Sequence, residues 1–186
     1  MRALLPLFLD LRGSVVVISG ETPAAHSFAK RCEELGATVR RGGDVEGAAF
    51  VATGSFEPAD DASLVAAARS RGLIVVDLHS SKDARAFVGE SAGGAEAQLA
   101  ATTLGGSAEL ERRLVSAAAS TLRPEHEGMA RILRSVRGKL EERFPDEAQR
   151  ANIWRQIIDS PVMVLLESGQ DDEALEMAER MAWGTG

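Results

Sequence analysis

The sequence predicts an α/β protein: a parallel sheet first, a small Gly- and Ala-rich central segment next, and a helical C-terminal part. Three observations predict it. The β-branched run Val15-Val16-Val17-Ile18 reads as a strand covered on both faces. Strand and helix patterns then alternate as far as Leu78, which implies parallel crossovers. From Ser107 onward the apolar spacing is helical throughout.

Gly20 supplies a permissive turn after the first strand, and Pro23 suits an early helical position. The helix runs to about Leu35 and stops at Gly36. Strand, tight turn and helix in this order open a Rossmann-like βαβ unit of the dinucleotide-binding type. In the G-x-G-x-x-G/A fingerprint, the second Gly lets the backbone approach a pyrophosphate at the helix N-terminus. Gly20, Thr22 and Ala25 stand at the three fingerprint positions. The first is kept, the third is the permitted Ala, and the second has gained a side chain. Glu21 adds a negative charge where a diphosphate would dock.

Residues 37–41 form the next expected strand, Gly42-Gly43-Asp44 a turn, and Ala48–Thr53 a third strand. Asp60 or Asp61 is expected to cap a helix that turns Leu64, Val65 and Ala68 inward and stops at Gly72. Residues 73–78 are the fourth strand, with Asp77 near its carboxyl end. Strand candidates at 86–88 and 98–103 flank GESAGGAEA, which reads as a loop. Helices are expected at about 108–122, 125–144, 145–159 and 161–167, with a last one toward Trp183. The expected division is 1–86 for the dinucleotide-binding-type domain, 87–124 for the central segment and 125–186 for the helical domain.

A net charge of −7 argues against a nucleic-acid or anionic-membrane partner, because phosphate backbones reward clustered Lys and Arg. The arginines between Arg123 and Arg155 are interleaved with acids, as on a solvated helix surface. One cysteine, Cys32, excludes an intramolecular disulfide and a multi-cysteine metal site, and reads as a small core filler. No stretch of about 18 apolar residues exists to span a membrane. The opening MRALLPLFLDLRG lacks a signal-peptide cleavage pattern, so a cytoplasmic protein is expected.

Several segments carry a family likeness. LPLFLDLRGSVVVISG leads into the first strand, EELGATV ends the first helix, IVVD forms the fourth strand, TTLGGSAELERRL follows, and NIWRQIIDSP lies near the end. Together they resemble the precorrin-2 dehydrogenase / sirohydrochlorin ferrochelatase module of sirohaem synthases. The resemblance implies sirohaem biosynthesis: NAD takes a hydride from precorrin-2 to give sirohydrochlorin, and the same cleft then admits ferrous iron. It implies a homodimer formed through the middle segment, and makes 87–124 a dimerisation and substrate segment. Proton handling would fall to Asp77. Cofactor contacts would fall to Gly20, Glu21, Thr22, Pro23, Ala24 and Thr53. Substrate contacts would fall to Thr102, Thr103, Gly105 and Gly106; apart from the resemblance, His79, two residues beyond Asp77, is a candidate to share the cleft and offer a neutral imidazole to an entering metal. Departures from the family pattern are the Gly20-Glu21-Thr22 turn, the extra Leu104, and Arg40 and Arg41 where an acid would take a ribose hydroxyl. The alternative is a family relative that has lost NAD use and binds a tetrapyrrole or metal. An unrelated Rossmann-like interaction module is a third.

Each of these residues has a plainer role available. Asp77 either faces the crevice as a base or caps the turn after its strand. His79 either shares that crevice or is an exposed loop histidine. Arg112, Arg113 and Arg123 are either carboxylate clamps or surface charges. Arg40 and Arg41 either favour a 2′-phosphate or are solvated. His26, His79 and His126 have no fixed ligand spacing, so no protein-held metal is expected, and a metal would be substrate.

Overall fold

The computed structural model describes residues 5–79 and 86–183. The chain divides into two compact units, Met1–Gly89 with Thr102–Ala108, and Glu90–Ala101 with Glu109–Gly186. The first holds four strands, β1 (Val15–Ile18), β2 (Thr38–Arg41), β3 (Ala48–Thr53) and β4 (Ile74–Asp77), in the order β2-β1-β3-β4. Every pairing among them is parallel, so all four end at one edge. The register sets Val17 opposite Arg40 and Val51, and Thr53 opposite Asp77.

Helices α1 (Pro23–Glu34) and α2 (Ala62–Ser70) supply the crossovers. Side chains alternate across a strand, so a strand buried on both faces must be apolar at every position. β1 obeys this rule. Val16 and Ile18 join Ala25, Ala29, Cys32, Phe50 and Val76 in one cluster, while Val17 joins Val45, Val51, Leu64 and Ala68 in another. Cys32 is a core filler whose thiol burial pushes up.

Three local expectations are corrected. A 3-10 turn, Pro58–Asp61, precedes α2. Asp61 stands at the cap position of α2 but makes no side-chain bond to the helix, because other partners claim its carboxylate. The stretch read as a loop, GESAGGAEA, contains strand β5 (Glu90–Gly93), paired antiparallel with β6 (Gln98–Ala101). The turn between them is held from a distance. The Glu127 carboxylate accepts the Gly94, Glu96 and Ala97 backbone N–H groups at 3.1, 2.8 and 3.1 Å. Those bonds, the Glu96 amide first, hold its carboxyl below the usual range. In place of a strand at 86–88, Ala86 forms an isolated parallel bridge to Val76.

The helices that follow are α3 (Ala108–Ala119), α4 (Pro124–Arg143), α5 (Glu147–Ile158), α6 (Val162–Glu167) and α7 (Asp171–Trp183). α4 presents Met129, Ile132, Val136 and Leu140 at helical spacing to Ile157, Val162 and Leu166. Ala174, Ala178 and Ala182 form the matching stripe of α7, small enough for helices to approach closely. Asp146 caps α5 by accepting from the Ala148 amide at 3.0 Å. No described helix is long and apolar enough to cross a membrane.

Candidate functional site

Open parallel sheets bind ligands at the carboxyl ends of their strands, and the turns there decide what can bind. Gly20 has φ +79°, and a Cβ at this position would lie 2.1 Å from the Gly54 carbonyl oxygen. The β1–α1 and β3–α2 turns are therefore in backbone contact, which only glycine permits. Thr22 caps α1. Its Oγ1 donates to the Gly54 carbonyl at 2.7 Å and accepts the Ala25 N–H at 3.2 Å. The Glu21 carboxylate lies 2.9 Å from His26 Nε2, and His26 Nδ1 lies 3.1 Å from the Thr22 carbonyl. Arg41 donates to the Gly20 carbonyl at 2.9 Å, while Arg40 is held by Glu46 and Asp44 of its own loop.

These residues do not fit the diphosphate of NAD. An anion at a helix N-terminus is held by the first free amides. Pro23 has none, and Thr22 has taken that of Ala25, so Ala24 alone remains in the first turn. The Thr22 side chain is turned inward and buried, and the exposed Glu21 carboxylate opposes a second negative charge. The fingerprint positions fold correctly and have been turned to internal use. Thr53 shows the same economy, its buried hydroxyl donating to the Val76 carbonyl at 3.3 Å.

A second set of side chains converges on Asp61, which is 3% exposed. Its Oδ1 accepts from Ser19 Oγ at 2.5 Å and Ser55 Oγ at 2.6 Å, and its Oδ2 from the Ser55 amide at 3.2 Å. His79 Nε2 stands 4.0 Å from the same Oδ2. On its other side, the His79 backbone N–H donates to Asp77 Oδ1 at 2.8 Å. Asp77 thus closes the turn after β4 with one oxygen, the plainer of its two expected roles. The serines are not nucleophiles of a hydrolytic triad. An activated serine gives its proton to a histidine, whereas these give theirs to a carboxylate.

Asp61 is the residue that sequence reasoning missed. It is identical in type and place to an ordinary helix cap. The available signal was Ser19 and Ser55, hydroxyl residues following two neighbouring strands.

The remaining expected residues form a separate turn. Thr102 Oγ1 accepts the Leu104 amide at 3.0 Å, and Thr103 Oγ1 accepts the Ser107 amide at 2.8 Å. Leu104 has φ +59°, a left-handed conformation that costs a side-chain-bearing residue energy. Gly105 follows at φ +80°, and the Gly106 amide donates to the Thr103 carbonyl. Arg112 and Arg113 both pair with Glu109, and Arg123 pairs with Glu125 and Glu167. His126 accepts the Arg123 amide on Nδ1, completing a cap on α4.

Residues 127–181 match the model of the sirohaem synthase dimerisation region. The chain is 25% identical over 202 aligned residues to a sirohaem synthase of Azotobacter vinelandii, covering 94% of this chain and 43% of that protein. It is 32% identical over 83 residues to a sirohaem synthase of Thioalkalivibrio sulfidiphilus, covering 45% of this chain and 17% of that one. The chain thus spans less than half the length of these curated relatives. Among solved structures, SirC, a precorrin-2 dehydrogenase, superposes with a TM-score of 0.65 at 17% identity, covering 95% of this chain and 100% of that one. The chain thus shares the α/β fold of SirC, and its C-terminal region matches the sirohaem synthase dimerisation region.

Proposed function

We propose that the chain is an enzyme of sirohaem biosynthesis that acts on a tetrapyrrole and inserts ferrous iron into sirohydrochlorin. The observation that supports this most is the gathering of Asp77, Asp61 and His79 at the carboxyl edge of the sheet. It lies in a chain aligned to sirohaem synthase over 94% of its length. Metal insertion breaks two pyrrole N–H bonds. The electron pairs stay on the nitrogens and bind the entering ion, while the protons need acceptors. Asp77 has one oxygen engaged by the His79 amide, and the other serves as the first acceptor. Iron is substrate in this reading. Oxidation of precorrin-2, the other half of the expected activity, needs NAD beside the macrocycle, and the β1–α1 turn offers its diphosphate no cradle.

Thr102, Thr103, Gly105 and Gly106 are proposed to meet the carboxylates of the macrocycle, and the protein to work as a cytoplasmic homodimer paired through its C-terminal and central segments. The test is anaerobic addition of ferrous iron to sirohydrochlorin, followed by absorbance. The protein is expected to accelerate insertion, and Asp77→Ala to slow it about a hundredfold. A wild-type protein that neither binds nor metallates sirohydrochlorin would overturn the proposal.

A further inference from the structure

Metal insertion releases two protons, and the reading above supplies an acceptor for one. We propose that His79 is the second, with the buried Asp61 as the residue that positions its ring. The inference rests on the ferrochelatase reading and extends it to a second residue pair.

The geometry carries the argument. His79 is gripped at two points. Asp77 fixes its backbone at 2.8 Å, and Asp61 stands 4.0 Å from ring Nε2. That ring distance is longer than a hydrogen bond and short enough for charge pairing, and catalytic contacts commonly tighten when substrate arrives. Asp61 cannot drift to meet the ring by chance. Two serine hydroxyls and a backbone amide hold it at the ends of β1 and β3, and its side chain is only 4% exposed. The His79 side chain is 28% exposed, so it is not sealed from solvent. When substrate draws this contact to hydrogen-bond distance, the Asp61 carboxylate keeps the proton on Nε2, which leaves Nδ1 as the acceptor.

The step balances. One pyrrole N–H bond breaks, its electron pair binds the metal, and the proton goes to His79 Nδ1. The imidazolium is stabilised by Asp61 and later loses the proton to water. The other pyrrole proton, the first to leave, goes to the oxygen of Asp77 that does not hold the His79 amide. Among the described residues, the charged groups in contact with His79 are Asp61 at the ring and Asp77 at the backbone. Glu21 and Arg41, at the neighbouring turn, are bonded instead to His26 and Gly20.

His79→Gln and His79→Ala would be assayed in the full chain for ferrous insertion into sirohydrochlorin, alongside tetrapyrrole binding by absorbance titration. Both variants are expected to lower kcat about a hundredfold with the tetrapyrrole Kd unchanged, and added imidazole to restore part of the rate in His79→Ala. Ring 15N shifts are expected to show Nε2–H in wild type and mixed tautomers in Asp61→Asn. Wild-type kcat in His79→Gln, or an Nδ1–H ring in wild type, overturns the inference. A wild type that inserts no iron sinks the ferrochelatase reading instead, and the ring tautomer still judges the His79–Asp61 pair.

Discussion

The helical unit and the carboxyl edge of the sheet are held together by different forces. In the helical unit, Val136, Leu140, Ile157 and Val162 are fully buried, and the charged residues pair at the surface, as Arg137 does with Glu141 and Lys139 with Glu179. At the sheet edge the ties are polar and internal: Thr22 to Gly54, Arg41 to Gly20, Asp61 to Ser19 and Ser55, Asp77 to His79. An apolar core tolerates imprecise placement and yields stability. A polar edge is costly unless every bond is made, and it fixes atoms in place. The difference teaches where chemistry can reside: the helices supply stability and carry the segment similar to the sirohaem synthase dimerisation region, and the sheet edge supplies placed acids and a histidine.

Four substitutions test this division. Leu140→Ala removes a fully buried side chain and is expected to cost about 2–5 kcal/mol in urea unfolding while leaving tetrapyrrole binding intact. Gly20→Ala forces a Cβ into the Gly54 backbone at positive φ, and is expected to cost more than about 1 kcal/mol. Asp61→Ala strands two hydroxyls and an amide, for about 1–3 kcal/mol in the same unfolding assay, yet it should harm iron insertion far more than Leu140→Ala does. If the core substitution proved as damaging to insertion as the edge substitution, the division would fail.

Glu127 gives the smallest effect and a pH signature. Its folded carboxyl is held low by the Glu96, Ala97 and Gly94 amides, so the hairpin clamp stands above the ordinary glutamate range and is lost as pH falls below it. Hydrogen exchange at Gly94, Glu96 and Ala97 should quicken on acidification, and Glu127→Ala should show the same quickening at neutral pH. Unchanged exchange would contradict the clamp.

Much of the fold was legible because local pattern and tertiary burial agree. Val15–Ile18 reads as a doubly covered strand and is one, and Ala48–Thr53 has the expected bounds. Glu90–Gly93 was not legible, since its composition signals a loop and its turn is clamped by a carboxylate more than thirty residues away. The site was legible in place and less so in chemistry. Asp77 lies at the end of β4 as expected, but local sequence cannot say that one oxygen is spent on the next turn. Nor can it separate Asp61 from an ordinary cap, because that role depends on Ser19, brought from the end of β1, as well as on Ser55 of its own connection. The fingerprint at Gly20-Glu21-Thr22 was read correctly as altered, and the bonds of Thr22 show what the alteration does.

The central claim is that this edge serves a tetrapyrrole and not a dinucleotide. Calorimetric titration of the wild-type protein with sirohydrochlorin and, in parallel, with NAD tests it most directly. Micromolar or tighter binding of the macrocycle is expected, with no saturable binding of NAD. Saturable NAD binding with no response to sirohydrochlorin would contradict it.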